Sequence, residues 1–364
     1  MPVVRIGDNS LMKNMRERWN RKEGNLLNDR YSRQQLFANI GEKGQEKIRS
    51  KHAFIVGAGA LGSASAEALV RAGIGKLTII DRDYVEWSNL QRQQLYAEGD
   101  ASRQLPKAIA AKQRLGQINS DVQVEALVMD ATPGGLEGLL DDVDVIVDAT
   151  DNFDIRFVVN DLAHKCNIPW IYGSCVGSYG VTYTIVPGQT PCLNCMLSQI
   201  PVVGATCDTA GIISPTVQMV AAYQVAEAFK ILVEDFSALR RSFLTFDLWS
   251  NQHYSMNLDK MKTDSCLTCG TDRTYPYLTY ENQTKTEVLC GRDTVQIRPP
   301  RTVQYNFDQL EKQLRNHGEV GRNPYLLSCQ LSDYRLVIFR DGRAFVHGTN
   351  DIQEAKKLYY QLLG

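Results

Sequence analysis

The chain is poor in the features that would assign it to a membrane or to nucleic acid. No window of its 364 residues approaches the ~20 apolar residues that span a bilayer, so no membrane partner is expected. Residues 1–28 are polar and charged and offer no apolar core suited to a signal peptide. A cytoplasmic location is the expectation. Excess charge is also missing: 40 basic side chains against 41 acidic ones leave a formal charge of −1. Binding by bulk phosphate attraction is thereby disfavoured, and no nucleic-acid partner is expected. Internal repeats and low-complexity tracts are absent, and the five histidines form no motif. What is present is an average globular composition, 43% hydrophobic and 22% charged, over a length that holds roughly two domains. Nine cysteines stand out. An odd number cannot pair completely, and a reducing compartment would not keep pairs oxidised, which directs attention to metal or thiol chemistry.

Residues 1–28 read as a tail, and the stretch from Asp29 to Lys51 as short helices leading into the first strand. From His52 the pattern alternates: AFIV, a helix through SASAEALVRAG, KLTIID, a helical KAIAAKQRLGQIN, VQVEALV, LLDDVDVIVDAT and IPWIYGSC. Short apolar strands separated by helices predict an α/β fold, a Rossmann-like and mainly parallel sheet with helices on both faces. A meander (YGVTYTIVPGQTPC), an apolar helix (SPTVQMVAAYQVAEAFKILV) and two strand-like runs (FLTFDLWS, QHYSMNLD) complete a unit expected over residues 29–270. Residues 271–285 read as a linker. Residues 286–364 carry TVQIRP, NFDQLEKQLRNHG, PYLLSCQL, YRLVIF, a turn at Asp341-Gly342, AFVHG and a final helix, a small C-terminal α/β domain.

The turn Gly57-Ala58-Gly59-Ala60-Leu61-Gly62 follows the first strand and opens a helix, a setting in which backbone N–H groups meet phosphate. With Asp81 at the end of the next strand to accept ribose hydroxyls, this much suggests a nicotinamide cofactor. The residues that follow redirect the reading: Asp83, Asn89, Arg92, Lys107, Asp148 and Asp151. Hydride transfer has little use for such a set, whereas transfer of a nucleotidyl group places negative charge on an α-phosphate and a departing pyrophosphate that cations neutralise. Asp151 follows a buried strand at its C-terminal edge, where open α/β sheets bind ligands. Asp148, inside that strand run, reads as structural.

Through RYSRQ, GAGALG, DRDYVEWSNLQRQ, PKAIAA, DATDN, PCLNC, TCDTAGIISP and CLTCG, in that order from about Arg30 to Gly270, the chain resembles the MoeB/ThiF family of sulfur-carrier adenylyltransferases, relatives of the ubiquitin-activating enzymes. The resemblance implies ATP and Mg²⁺ as cofactors. It implies that ATP lies over Gly57, Gly59 and Gly62, with Asp81 on the ribose and Asp83 beside it. Asn89 and Arg92 would hold the triphosphate, Lys107 would bridge phosphates and Asp151 would hold Mg²⁺. Arg33 resembles an arginine that reaches into the partner protomer's site, which implies a homodimer. The substrate implied is the C-terminal glycine of a small ubiquitin-like sulfur carrier, ThiS- or MoaD-type, activated as acyl-adenylate for thiamin or molybdopterin biosynthesis. A cysteine desulfurase or another sulfur donor follows as a further partner. The extra C-terminal unit leans the reading towards a ThiF-type protein. A relative that activates a ribosomal peptide or a tRNA-bound carboxylate stays open as an alternative, with an NAD-dependent oxidoreductase and a non-catalytic zinc scaffold more distant.

Cys192-x-x-Cys195 and Cys266-x-x-Cys269 are paired knuckles that supply four thiolates, the donor set of a structural Zn²⁺ site with no open position. Cys207 lies in a Gly- and Thr-rich stretch and is a candidate sulfur-relay nucleophile. Cys166, Cys175 and Cys329 read as core residues, and a structural role is favoured for Cys290. His164 reads as a cation at a helix C-terminus.

Overall fold

The computed structural model describes residues 30–197, 211–279, 286–289, 293–298 and 304–363. Cys207 and Cys290, like the tail expected over residues 1–28, lie outside them. In the first unit eight strands form one sheet: β1 (His52–Val56), β2 (Lys76–Asp81), β3 (Gln123–Val128), β4 (Val145–Asp148), β5 (Trp170–Val176), β6 (Tyr179–Ile185), β7 (Ser242–Asp247) and β8 (Gln252–Asn257). Their order is β3-β2-β1-β4-β5-β6-β7-β8. The pairings from β3 to β5 are parallel, and those from β5 to β8 are antiparallel. The expected Rossmann-like sheet is therefore present, extended by an antiparallel meander.

The central strands read as continuous apolar runs because both of their faces are buried. Ala53 and Ile55 of β1 face one core with α1 (Gly41–Ser50), α2 (Ala60–Arg71), α3 (Lys107–Ile118) and α5 (Ser214–Leu232). Phe54 and Val56 face the other core with α4 (Phe153–Lys165). Helices thus cover both faces. The inner side of α2 is built from small residues, Ala64 and Ala66 among them, so that it lies close against Val217, Val220 and Ala228 of α5.

A second sheet follows, wholly antiparallel: β9 (Thr286–Leu289), β10 (Thr294–Ile297), β11 (Glu319–Arg322), β12 (Leu326–Gln330), β13 (Arg335–Phe339) and β14 (Ala344–His347), in the order β11-β12-β13-β14-β10-β9. Its two faces divide the strand residues by parity. Val295, Ile297, Leu327, Leu336, Ile338, Ala344 and Val346 pack under α6 (Phe307–Leu314) and α7 (Ile352–Leu363). Leu326, Val337, Phe339 and Phe345 point the other way, into a cluster with Tyr84 and Val128 of the first unit. Residues 276–278, within the stretch read as a linker, lie on α4, where the Tyr277 ring stacks on Phe157 with centroids 4.5 Å apart.

Two readings of single residues are overturned. Cys166, expected in the core, is exposed because it caps α4 at the surface. His164 is not an exposed cation: it is buried, its Nδ1 lies 2.8 Å from the Asn160 carbonyl, and burial lowers its pKa. Cys329 is buried as expected, and Cys175 is half-buried.

Candidate nucleotide site and cysteine cluster

The strand order places the C-terminal ends of β2, β1 and β4 side by side, and each carries part of the proposed site. At the end of β1 the three glycines have different reasons to be glycine. Gly57 has φ +100°, and a Cβ there would lie 2.6 Å from the Ala149 carbonyl oxygen. A Cβ on Gly62 would lie 1.9 Å from the Gly57 carbonyl oxygen. These two let strand, helix and the neighbouring Ala149 turn close on one another. Gly59 differs: its φ of −73° suits any residue, and a Cβ would meet only Gln93 Nε2, at 4.0 Å. The protein leaves open the volume that a side chain would fill. That volume lies at the start of α2, whose N-cap makes no side-chain hydrogen bond. Uncapped N–H groups facing an open cradle fit a phosphate.

Asp81 closes β2 and ties the turn to the following loop. Its carboxylate accepts the Ala58 N–H and the Asp83 N–H, each at 2.6 Å. Burial raises its pKa, the Lys107 ammonium opposes that rise, and the Asp83 carboxylate adds to it. Asp83 in turn meets Lys107 Nζ at 3.0 Å, and the Lys107 N–H donates to the Asp83 carbonyl at 2.9 Å. Tyr96 joins the two segments by donating to the Ala58 carbonyl at 2.5 Å, with the Lys107 carbonyl at 3.2 Å. The turn that carries Gly57, Gly59 and Gly62 is therefore tied through Ala58 to a hydrogen-bonded set of Asp81, Asp83, Tyr96 and Lys107.

Asn89 and Arg92 lie on the next segment. Asn89 is fully buried and its Oδ1 accepts the Glu86 N–H at 3.0 Å, while Arg92 Nη1 donates to the Ser88 carbonyl at 2.8 Å. Asp151 is exposed just beyond β4. Below it lies a pair the sequence reading half foresaw. Asp148 Oδ2 accepts from Arg156 Nε at 2.9 Å, and Asp148 Oδ1 accepts the Thr150 N–H and hydroxyl. Arg156 Nη2 donates to the Thr150 and Gly173 carbonyls. Asp148 is structural, as expected; Arg156, which holds the Asp151 turn from the first turn of α4, was missed. Both are buried, and removing one member of such a pair costs about 3–5 kcal/mol.

Arg33 is not brought to this constellation within one chain. Its neighbour Tyr31 packs on Gly73, and Gln34 donates to the Ala72 carbonyl, so the segment sits at the C-terminal end of α2. Twelve helical residues separate that end from Gly59, a distance on the order of 18 Å.

The four knuckle cysteines do meet. Their sulfur atoms all lie within 4.8 Å of one another, with Cys192 to Cys266 at 3.6 Å and Cys195 to Cys269 at 3.5 Å. Tetrahedral Zn²⁺ with Zn–S near 2.3 Å requires sulfurs about 3.8 Å apart. The set fits that ion. Gly270 is needed here because a Cβ would lie 2.3 Å from the Asp264 carbonyl oxygen. Two α4 residues that the sequence reading passed over support the knuckles: Asn160 Oδ1 accepts the Leu193 N–H, and Asp161 accepts the Thr268 hydroxyl and the Tyr277 N–H.

A glycine cradle at a helix start, an acidic residue closing the adjacent strand and a buried lysine beside it mark an α/β protein with a candidate nucleotide site at its sheet's switch point. The sequence model of the ThiF family matches residues 31–268, and the chain belongs to that family. It is 56% identical over 340 residues, 93% of this chain and 100% of the relative, to the sulfur carrier protein ThiS adenylyltransferase of Bacillus subtilis. A protein of the same description from Escherichia coli is 35% identical over 242 residues, 66% of this chain and 94% of the relative. Among solved structures, Escherichia coli MccB superposes with a TM-score of 0.59 at 24% identity, covering 66% of this chain and 75% of that one. This likeness concerns the fold. Among the described residues no helix is long and apolar enough to cross a membrane.

Proposed function

We propose that this chain adenylylates the C-terminal glycine carboxylate of a small ubiquitin-like sulfur carrier. The carboxylate oxygen attacks the α-phosphorus of ATP, the bond to the bridging oxygen breaks, and pyrophosphate leaves with the electron pair. The products are acyl-adenylate and pyrophosphate. The observation that carries the reading is the constellation of Gly59, Asp81, Asp83 and Lys107, an open phosphate cradle beside a buried ammonium. No general base is needed, because the attacking carboxylate is ionised at pH 7. The work is positioning and charge neutralisation. Asp81 takes the ribose; Asn89, Arg92 and Lys107 take the phosphates. Asp151, exposed at the edge of β4, would hold Mg²⁺, which would supply further neutralisation of phosphate charge. The cysteine cluster takes Zn²⁺ in a structural role.

A ThiS-type carrier is favoured by the Bacillus relative, which is matched over its whole length and is described as acting on ThiS. Tyr179, Trp249, Tyr254 and Met256 are exposed along β6, β8 and the turn between β7 and β8, an apolar surface suited to a protein substrate. Leu36 and Phe37, 73% and 59% exposed, flank Arg33. These exposed apolar side chains suit burial against a second copy, and in the proposed homodimer Arg33 would reach the partner's nucleotide. A persulfide, carried by a cysteine-desulfurase-type donor or relayed to Cys207, then attacks the acyl carbon of the adenylate, and AMP leaves as the new carbon–sulfur bond forms. The four clustered cysteines, joined by no disulfide, suit the reducing cytoplasm. The test is ATP–pyrophosphate exchange with purified ThiS-type and MoaD-type carriers side by side. Exchange with the ThiS type is expected; exchange with neither overturns the reading.

A further inference from the structure

The second sheet lies against the two segments that present Asp83 and Lys107. Tyr84, next in sequence to Asp83, is 2% exposed and inserts among Leu326, Val337, Phe339 and Phe345. Its hydroxyl accepts from Arg335 Nη2 at 2.8 Å and lies 2.9 Å from His347 Nε2. On the other side of that ring, His347 Nδ1 faces the Thr294 hydroxyl at 2.8 Å. Arg335 also stands 3.7 Å from Glu86, whose N–H is held by Asn89. One residue before Asp83, the Arg82 carbonyl accepts from Arg343 Nη1 at 3.3 Å. The contacts of Arg335, His347 and Arg343 with Tyr84, Glu86 and Arg82 all join the C-terminal domain to the loop after β2.

The second segment is gripped separately. Asn323 Nδ2 donates to the carbonyls of Arg103 and Gln104 at 3.2 and 3.1 Å, just ahead of Lys107. Gln104 has φ +47°, a backbone conformation that a non-glycine residue holds only when its surroundings fix it. Asn323 is itself fixed, because its Oδ1 accepts the N–H groups of Tyr325 and Leu326.

We propose that the C-terminal domain is a positioning element of the nucleotide site: by clamping residues 82–86 and 103–104 it holds Asp83 against Lys107 and sets the lysine for phosphate. The inference rests on the nucleotide reading given above. The family match ends at residue 268, so the clamp is an addition to the nucleotide-binding unit.

The test uses full-length chain carrying Asn323→Asp or Tyr84→Phe, with Tyr360→Ala, exposed on α7, as control. Asn323→Asp keeps the turn acceptor but sets a carboxylate against two carbonyls; Tyr84→Phe keeps the ring and removes its hydrogen bonds. Binding of a non-hydrolysable ATP analogue is measured by calorimetry, and KM for ATP and for carrier by exchange. The expected result is analogue binding weakened about tenfold in Asn323→Asp, the scale of losing a pair of hydrogen bonds. A smaller loss is expected in Tyr84→Phe and none in Tyr360→Ala. KM for ATP should rise in parallel while carrier KM stays fixed, a split that general loosening would not produce. Unchanged analogue affinity in both interface variants, or an equal rise in carrier KM, overturns the proposal. If the parent chain binds the analogue and the variants respond but no carrier supports exchange, the substrate reading fails and the clamp stands. A parent that binds no analogue sinks both.

Discussion

The two sheets meet the same demand for burial in different ways. The first is covered by its own helices on both faces, and its ligand end is left free where β1, β2 and β4 stop together. The second has helices on one face only, and its other face is closed by Tyr84 and Val128 of its neighbour. A sheet covered by its own helices has its position set by its own sequence. A sheet covered by another unit's loop exerts force on that loop. The difference makes the first unit the place of chemistry and the second a regulator of its geometry.

The contrast is broken most forcefully at Lys107. Lys107→Ala removes the cation from the cradle and takes an ammonium away from the half-buried Asp83 carboxylate; exchange activity is expected to fall about 10²–10³-fold, measured as kcat/KM for ATP. Mixing Lys107→Ala chains with Arg33→Ala chains is then expected to restore part of the activity, because a mixed form of the proposed dimer would contain one site with both residues. Activity that stays flat on mixing removes Arg33 from the mechanism.

The cysteine cluster gives the next largest effect, and it lies wholly within the first unit. One zinc per chain is expected by elemental analysis. Prolonged chelation, or Cys266→Ser, should lower the melting temperature by several degrees, since the proposed ion would hold residues 192–195 and 266–269 together. Hydrogen exchange should show the loss around Leu193 and Thr268 while β12 to β14 keep their protection. Equal loosening of both sheets would erase the distinction drawn here.

Acid separates the two regions more gently. Burial would raise the pKa of Asp130, but the guanidiniums of Arg82, Arg298 and Arg343, with a hydrogen bond from Gln296, hold it below the usual carboxylate value. Three of those four partners belong to the C-terminal domain. A depressed carboxylate contributes stability above its unfolded pKa, near 3.9, and loses it as pH falls through the lower folded value. Asp148 carries the opposite sign, because burial raises its pKa despite Arg156, and its protonation on acidification favours the folded state. Below about pH 4, exchange protection in β10 and β12 to β14 should fall before that in β1 and β4. Loss in the reverse order would contradict the sign assigned to Asp130.

The first unit was legible in the sequence because burial on both faces writes continuous apolar strands, and because glycines at a strand-to-helix turn are demanded by local geometry. The cysteine knuckles were legible for the same reason: ligand spacing is local. The strand Glu319–Arg322 was not, since an exposed edge carries no apolar alternation. His164 and Cys166 were misread by giving weight to neighbours in sequence over helix phase, which turns His164 inward beside Asn160 and Asp161 and leaves Cys166 outside. Arg156, a charged residue in an apolar helical run, was a signal that could have been followed to Asp148. The roles of Tyr84 and Asn323 had no signature, because their partners lie more than two hundred residues away in the chain.

The face shared by Tyr84, Val128, Leu326, Val337, Phe339 and Phe345 also sets how the chain can be handled. Cutting near Gly270 would yield two fragments, each with a bare apolar pad in water and each with reason to stick to whatever it next encounters. A shortened enzyme would require new polar side chains at positions 84 and 128 before it stayed soluble, and grafting the domain onto a shorter relative would require transplanting the landing site with it.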